Sequence, residues 1–282
     1  MRIAVVGVGL IGGSIALAAR ERCGASVDAY DSSPRALTVA LERGAVQRAC
    51  DSAAAAVAAA EAAFVAVPVG ALPEVLPEVL AAAPAGCVVS DVGSVKRAVL
   101  ALAGDERFIG GHPLAGAETS GIEHARADLF EGATWYLTPT ERTSGALYER
   151  LQRLLCDFGA LPAMIDADTH DRLLAVISHL PHVLANVLVA QAVSALGEGE
   201  PLPATGPSFR DATRVAGSST AVWRDIYLQN RDALIEQIEQ AIARLRAVGE
   251  LLQAGEVEAI AAWNEAAAAH RRALLDAQRG RG

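Results

Sequence analysis

RIAVVGVGLIGGSIALAAR, residues 2–20, is the stretch that decides the fold. It opens with an apolar, β-branched run, continues into a turn built on Gly7, Gly9 and Gly12, and then shows helical apolar spacing. A second strand pattern follows and ends in Asp31, 19 positions after Gly12. A strand, a Gly-x-Gly-x-x-Gly turn, a helix and an acid at that distance are typical of a dinucleotide-binding βαβ unit.

Each part of this motif has a chemical role in holding a dinucleotide. Gly7 permits the tight turn, Gly9 lets the backbone approach the pyrophosphate, and Gly12 lets the helix and the strand pack closely. The helix N-terminus, at Leu10 and Ile11, offers unpaired N–H groups and a partial positive charge to the phosphates.

Asp31 bears on the choice between the two common nicotinamide dinucleotides. Its carboxylate can accept hydrogen bonds from ribose hydroxyls and would repel a 2′-phosphate, so we expect NAD as the cofactor. Ser32, Ser33 and Arg35 lie nearby and leave NADP open as the alternative.

Further strand patterns alternate with helical stretches through the first half of the chain. They are AAFVAVPV (62–69), CVVSDVGS (87–94), RFIGGHPL (107–114) and ATWYLTPT (133–140). The alternation predicts an α/β fold, a Rossmann-type doubly wound parallel sheet with helices on both faces. Ligands bind such sheets outside the carboxyl ends of the strands. Residues at these ends are therefore expected to line the cofactor site: Val67, Pro68, Ser94 and His112.

His112 stands in GGHPLAG, residues 110–116. The two glycines and the proline predict a turn there rather than a regular helix or a central strand. A histidine in a turn can simply cap the chain. Its expected place at the cofactor edge favours a chemical role instead.

The pattern changes to long helical stretches from about Asp166. We therefore predict a dinucleotide-binding domain over 1–165 and a helical substrate and dimerisation domain over 166–282. Pro181 should kink the first long helix beside Ser178, His179 and His182. The two histidines could form a metal pair, but zinc needs three or four ligands and no Cys or carboxylate cluster completes the set, so no metal is expected.

Asp166, Asp168, His170 and Asp171 precede that helix and also resemble metal ligands. Acids at a helix start are ordinary caps, because they accept hydrogen bonds from the first N–H groups and favour the positive end of the helix dipole. Capping is therefore the preferred interpretation of this group.

The remainder of the second half predicts a loop and more helix. GEGEPLPATGPSFRDATR (197–214) should be a loop that leads into a helical turn. Apolar residues between positions 234 and 252 then recur at helical spacing, which predicts a long amphipathic helix. This amount of apolar helical surface favours a homodimer through the C-terminal helices; burial within one monomer is the alternative.

Composition excludes several classes of protein. The chain has 282 residues and a formal net charge of −9, which argues against a nucleic-acid partner. Its apolar runs are short and interrupted, so we expect no membrane-spanning helix, and the N-terminus lacks the basic segment of a signal peptide. Four cysteines without a C-x-x-C pair fit reduced thiols in a cytoplasmic protein.

Six stretches together resemble the prephenate/arogenate dehydrogenase family of tyrosine biosynthesis. They are VVGVGLIGGS, AVPV, SDVGSVK, GGHPLAGAETSG, SHLPH and FRDATRVAGSSTAVWRDIYLQN. The resemblance covers nearly the whole chain, and GGHPLAG with SHLPH and DATR is its most specific part. It implies NAD-dependent oxidative decarboxylation of prephenate to 4-hydroxyphenylpyruvate. Arogenate, which would give tyrosine directly, is the alternative substrate.

The resemblance also implies roles for individual residues. His112 would be the base for the ring hydroxyl of the substrate, and Ser94 would orient His112 and the nicotinamide. Arg214 would grip a substrate carboxylate. A non-catalytic dinucleotide-sensing protein is a third, less favoured reading, because a sensor needs neither a base nor an anion clamp.

Further residues are implied to complete the substrate pocket. Ser178, His179 and His182 would donate hydrogen bonds to the substrate. Glu118 would join an ionic network with the arginine, and Asp211 would reach the pocket from the partner subunit.

Overall fold

An eight-stranded sheet organises the fold, in a computed structural model that describes residues 1–116, 119–195 and 204–279. The strand order is β3-β2-β1-β4-β5-β6-β7-β8. All neighbouring strands are parallel except β6 and β7, which are antiparallel. The strands are β1 (Arg2–Val6), β2 (Ser26–Tyr30), β3 (Arg48–Ala49), β4 (Ala62–Val65), β5 (Val88–Asp91), β6 (Phe108–Pro113), β7 (Thr134–Thr138) and β8 (Leu161–Met164).

Helices connect the strands and form the second half of the chain. The helices among the strands are α1 (Leu10–Cys23), α2 (Pro34–Glu42), α3 (Ala53–Val57), α4 (Leu72–Ala82), α5 (Arg97–Leu100) and α6 (Gly145–Asp157). After β8 come α7 (Ala167–Leu174), α8 (Leu180–Ser194), α9 (Pro207–Thr213), α10 (Thr220–Gln229), α11 (Arg231–Ala254) and α12 (Val257–Arg279).

Two apolar cores cover the two faces of the sheet, because successive side chains of a strand point to opposite faces. Ile3 and Val5 of β1 join the core that contains α1 and α6. Ala4 and Val6 join the core that contains α3 and α4. The predicted doubly wound α/β fold is confirmed and all six predicted strands are present, although the segments 62–69 and 87–94 each form a strand of only four residues, β4 and β5.

β6 differs from the prediction for GGHPLAG. Residues 110–113 are not a turn but the second half of a strand inside the sheet, so His112 lies within β6 rather than after it. The ladder with β5 ends at Ile109, while the antiparallel ladder with β7 continues through His112 and Pro113. Glycine is required there because a Cβ on Gly111 would lie 2.6 Å from the Asp91 carbonyl oxygen.

The helical segment after β8 contains one irregular turn. Residues Ala175–His179 form a π turn between α7 and α8, and Pro181 stands in the first turn of α8. Proline has no N–H and clashes with the preceding turn of a regular helix, so the wider π turn accommodates it. Ser178 and His179 lie in this turn, beside the proline that predicted the irregularity.

The run Ala167–Ser194 is also the exception to the prediction that no segment could cross a membrane. It is 28 residues long and is apolar enough to cross a membrane by length and composition alone. The prediction was wrong in those terms, because Leu, Val and Ala occupy most positions around its polar residues. Those polar residues include His170, Asp171 and His179, which are all buried.

The chain divides into two compact units, Met1–Arg231 and Asp232–Gly282. The first contains the sheet together with α7 to α10. The second consists of α12 and all of α11 but its first residue, so the predicted long amphipathic helix is present. A functional boundary near residue 165 stays a prediction.

Candidate active site

The glycine turn between β1 and α1 has the shape of a phosphate cradle. Gly7 has φ +93°, and a Cβ there would lie 2.5 Å from the Ala66 carbonyl oxygen. A Cβ on Gly12 would lie 1.8 Å from the Gly7 carbonyl oxygen, so both positions exclude a side chain. A Cβ on Gly9 would meet no atom within 4 Å. The space next to Gly9 is open, as a site for a pyrophosphate requires.

Asp31 lies directly beside this cradle. One carboxylate oxygen accepts a hydrogen bond from the Val8 N–H at 2.7 Å, and the other accepts one from the Ser33 N–H at 2.8 Å. Arg35, which leaves NADP open, is exposed and lies 3.5 Å from a Glu123 carboxylate oxygen. The acid is therefore held over the turn, while the nearby guanidinium already has an acidic neighbour.

The other predicted cofactor residues are at the same edge of the sheet. Leu10 is the first residue of α1, whose N-terminus has no side-chain cap, and Leu10 and Ile11 are half-buried. Val67 and Pro68 follow β4; Val67 is half-buried and Pro68 is exposed. Free N–H groups at an uncapped helix start suit an anionic ligand.

His112 is buried in β6, opposite Tyr136 of β7. Its Nδ1 lies 2.9 Å from Nε2 of His170. Burial lowers the pKa of His112 well below its ordinary value, and the neighbouring His170 and the positive charge of Lys96 lower it further. The imidazole is therefore neutral at neutral pH, which is the protonation state of a base.

His170 and Asp171 are not caps, and the capping interpretation is wrong for this pair. Both are fully buried, and Nδ1 of His170 lies 2.8 Å from a carboxylate oxygen of Asp171. Asp171 also accepts hydrogen bonds from the backbone N–H groups of Lys96 at 2.8 Å and Arg97 at 3.0 Å. The cap of α7 is Asp166, whose side chain accepts from the Thr169 N–H at 2.9 Å.

The physical reason is distance along the helix. An N-cap bonds to the second or third helical N–H, and residues 170 and 171 lie beyond that first turn. They therefore point into the protein, where Asp171 bonds to the start of α5 and His170 lies between Asp171 and His112. The remaining member of the group, Asp168, is exposed and lies 3.8 Å from Nε of Arg97.

A buried ion pair holds the strand that carries His112. Lys96 and Asp91 are both fully buried, and the ammonium of Lys96 contacts the carboxylate of Asp91. The same carboxylate accepts hydrogen bonds from the N–H groups of Gly111 at 3.0 Å and Gly93 at 2.8 Å. Asp91 therefore replaces the β5–β6 ladder at the point where that ladder stops, next to His112.

Ser94 lies between β5 and α5 and is half-buried. It does not cap α5, because that helix begins at Arg97 and the residue at its N-cap position is Lys96. The part of the chain that the structure describes offers the Ser94 hydroxyl no hydrogen-bond partner. It is thus available to a ligand at the carboxyl edge of the sheet.

His179 and His182 lie on the helical side of the site. His179 is buried, its Nδ1 is 3.1 Å from the side-chain nitrogen of Asn230, and burial lowers its pKa to about 4. His182 stacks on Trp223 with ring centroids 3.7 Å apart, and its Nδ1 contacts the Tyr227 hydroxyl. Nε2 of each histidine is buried without a hydrogen-bond partner among the described residues.

A cavity of about 330 Å³ adjoins His182. Trp223 and Tyr227 line it, and neither was among the predicted site residues. Their aromatic character and spacing of four on one helix were a usable signal, since residues i and i+4 share a helix face. Ser178 is half-buried in the π turn that precedes α8.

The predicted ionic residues are placed as follows. Arg214 is exposed on a 3₁₀ turn, Arg214–Gly217, that packs against α8, the helix that carries His182. Asp211 is exposed on α9. Glu118 lies outside the described residues. Over the described ranges, the chain has no cluster of three or more His, Cys, Asp or Glu side chains suited to a metal ion.

Two family profiles match the chain. One, described as prephenate dehydrogenase, nucleotide-binding domain, matches residues 15–162, and the other, described as prephenate dehydrogenase, dimerization domain, matches residues 166–265. The chain belongs to the prephenate dehydrogenase family.

Two curated relatives are similar to this chain over most of its length. A prephenate dehydrogenase of Bacillus subtilis is 33% identical over 99% of this chain and 77% of its own length. A cyclohexadienyl dehydrogenase of Zymomonas mobilis is also 33% identical, over 86% of each chain.

Solved structures of the prephenate dehydrogenase family share the fold. The prephenate dehydrogenase of A. aeolicus, in complex with hydroxyphenyl propionate and NAD+, has a TM-score of 0.91 at 29% identity and covers 97% of this chain and 98% of its own. The arogenate dehydrogenase of Synechocystis has a TM-score of 0.81 at 28% identity and covers 97% and 100%.

Proposed function

We propose that this protein is an NAD-dependent prephenate dehydrogenase that gives 4-hydroxyphenylpyruvate and CO2. The observation that carries the proposal is a buried, neutral imidazole, His112, in β6, at the same carboxyl edge of the sheet as the glycine cradle that follows β1. Neither a metal nor a covalent intermediate is required, because formation of an aromatic ring drives the loss of CO2.

The proposed reaction balances in protons and electrons. The ring hydroxyl of prephenate gives its proton to His112, and the ring carbon that bears this hydroxyl gives its hydride to NAD+. The ring carboxylate leaves as CO2, and the electron pair of the broken bond completes the aromatic ring. The oxygen, now phenolic, takes the proton back, so His112 is regenerated and no net proton is released.

The residues of the cradle support NAD as the cofactor. The open space at Gly9 and the uncapped start of α1 would hold the pyrophosphate, and Asp31 would accept hydrogen bonds from the adenosine ribose. Ser94 would orient the nicotinamide and His112. A base of this kind contributes roughly 10²–10⁴-fold to the rate.

The helical residues support a pocket for an anionic substrate. The unpartnered Nε2 atoms of His179 and His182 are placed to donate hydrogen bonds. Arg214 would hold a carboxylate with the paired N–H groups of its guanidinium. Ser178 would add a hydroxyl from the π turn, and the partner subunit's Asp211 would complete the ionic network.

A homodimer is supported by the apolar surface of α8 and the π turn. Their exposed residues are Val176, Ile177, Leu184, Val187, Leu188, Val189 and Val193. The matched dimerization profile covers the same segment. A contiguous apolar surface of this kind typically marks an interface between protein molecules.

For the location of the protein we propose the reducing cytoplasm. The four cysteines are all free thiols. Burial raises the pKa of Cys87 to about 11, so this thiol is unreactive.

The direct test is an assay of reduced cofactor by absorbance with two substrates and two cofactors. Prephenate and arogenate are each supplied with NAD+ or NADP+, and we expect the highest kcat/KM for prephenate with NAD+. A higher value for arogenate would move the substrate assignment to that compound. Absence of reduced cofactor in all four mixtures would refute the enzyme proposal and leave a sensing role.

A further inference from the structure

We infer that one buried polar network gives the two histidines of the site opposite tautomers. Asp171, through His170, places the ring proton of His112 on Nδ1 and leaves Nε2 as the free base nitrogen. Asn230 places the ring proton of His179 on Nε2, which makes that atom a donor. The inference deepens the proposed function, because it assigns positioning roles to three residues behind the groups that would contact substrate.

The argument for His112 starts at Asp171. The carboxylate accepts hydrogen bonds from two backbone N–H groups and from Nε of Arg97 at 3.3 Å. Hydrogen bonds to His170, Arg97 and Lys96 lower the pKa of Asp171 and outweigh its burial, so the group is ionised. An ionised carboxylate only accepts hydrogen bonds.

The next two steps follow from the capacity of a neutral imidazole, which has one donor and one acceptor nitrogen. Nδ1 of His170 faces the carboxylate at 2.8 Å and must carry the hydrogen. Nε2 of His170 is then an acceptor, and it lies 2.9 Å from Nδ1 of His112. That nitrogen of His112 must therefore be the donor, which leaves its Nε2 with a free electron pair.

The argument for His179 starts at Asn230. The side-chain oxygen of Asn230 faces a guanidinium nitrogen of Arg97 at 3.0 Å, and its nitrogen faces the Asp171 carbonyl oxygen at 2.8 Å. Arginine only donates and a carbonyl only accepts, so the amide has one possible orientation. The NH2 group therefore also donates to Nδ1 of His179 at 3.1 Å, and the ring proton of His179 lies on Nε2.

The surroundings of His112 keep its ring neutral. Burial lowers the pKa of His112, and the nearby ammonium of Lys96 lowers it further. Lys96 is in turn paired with Asp91, and Tyr136 packs edge-on against His170 with centroids 5.9 Å apart.

The chemical consequence is a matched pair of contacts. A substrate hydroxyl needs an acceptor that can take its proton, and a substrate carboxylate needs a donor. His112 offers the first at Nε2 and His179 offers the second at Nε2. When His112 receives the proton, its Nδ1–H remains bonded to His170, and the Asp171 carboxylate stabilises the positive charge through that ring.

The test is ¹⁵N NMR of the full-length protein labelled at histidine, recorded at neutral pH without substrate or cofactor. The chemical shift of each ring nitrogen reports whether it carries a proton. We expect His112 to be protonated at Nδ1 only and His179 at Nε2 only. A spectrum with His112 protonated at Nε2, or with His179 protonated at Nδ1, overturns the inference.

A variant pair gives the kinetic test. In His170→Gln the amide can turn either its oxygen or its NH2 group to His112, so the Nδ1–H tautomer is no longer imposed. We expect signals of both His112 tautomers and a kcat lowered by about 10–100-fold, as when the partners that orient metal-bound histidines are removed, with KM and NAD affinity unchanged. His124→Gln, at an exposed histidine, is the matched control and should leave both readouts as in the wild type.

The outcomes separate this inference from the proposed function. If His170→Gln retains both the His112 spectrum and kcat, the positioning role is refuted while the dehydrogenase proposal stands. If the protein turns over neither prephenate nor arogenate, the wild-type spectrum still tests the tautomers, because it is recorded without substrate. The wild-type spectrum also decides the matter if His170→Gln does not fold.

Discussion

Two glycines of the same turn should differ in how much stability the protein loses when each is replaced by alanine. In Gly9→Ala the new Cβ meets no protein atom within 4 Å, and the backbone there is extended, with φ −74° and ψ −155°. This lies at the border of the extended region open to alanine, which is also a poorer N-cap than glycine. We expect a stability loss of less than about 1 kcal/mol.

Gly12→Ala places its Cβ 1.8 Å from the Gly7 carbonyl oxygen. That oxygen belongs to the backbone, so α1 or the turn must move, as in other overpacked sites that cost about 1–3 kcal/mol or more. For a protein of this size, a loss of 2–3 kcal/mol lowers Tm by roughly 4–12 °C. The two variants therefore differ clearly in a thermal melt.

In Gly9→Ala we expect NAD affinity to fall although the stability of the protein is nearly unchanged. The methyl group occupies the open space proposed for the pyrophosphate, so we expect Kd for NAD to rise at least tenfold, which corresponds to about 1.4 kcal/mol. The assay is calorimetric titration with NAD, next to thermal melts of both variants and the wild type. Wild-type NAD affinity in a fully folded Gly9→Ala would refute the assignment of this space to the pyrophosphate.

The remaining predictions concern the base, the buried rings, the anion clamp and the cofactor acid. His112→Asn should lower kcat by roughly 10²–10⁴-fold and leave NAD affinity nearly intact, measured by steady-state kinetics and titration; unchanged turnover would remove the base from this position. Because the pKa of His179 falls to about 4, the unfolded chain binds protons first on acidification. The free energy of unfolding should therefore be unaffected by His179 above about pH 6.5 and should fall as the pH drops toward 4. Urea melts across that range would show or contradict this. Arg214→Ala should raise KM for the anionic substrate by an amount equivalent to about 1.5–3 kcal/mol, and an unaltered KM would place the clamp elsewhere. Asp31→Ala should reduce the preference for NAD over NADP in kcat/KM, and a wild type that already prefers NADP would contradict the role of the acid.

Most of the sheet was predictable because its signals are local. The βαβ unit around Gly7 and Asp31 combines periodicity, turn chemistry and spacing within one short segment. β3 and β8 were not predicted, because β3 has only two residues and β8 is a short, partly exposed edge strand that contains Pro162. Their pairing depends on neighbouring strands rather than on their own sequence.

The polar network behind His112 was not predictable in the same way. His170 and Asp171 have the same local sequence context as ordinary capping residues, and only the docking of α7 on the start of α5 shows what they bind. One signal was nevertheless present, since both lie past the first turn of α7, beyond the positions that cap a helix. Asn230 gave no local signal, because its partners are distant in sequence. Lys96 lies close in sequence to its partner Asp91, but nothing in that segment indicated that both side chains are buried.

The two backbone N–H groups that hold Asp31 make its carboxylate a preorganised receptor. A ligand that binds it does not have to freeze that side chain, which saves about 0.5–1.5 kcal/mol of conformational entropy. The same bonds prevent the acid from swinging aside for a bulkier nucleotide without leaving the Val8 and Ser33 amides unpaired. Redesign toward NADP, which carries an additional phosphate, therefore has to rebuild the loop around Asp31. Exchange of that one side chain alone would leave the two N–H groups without a hydrogen-bond acceptor.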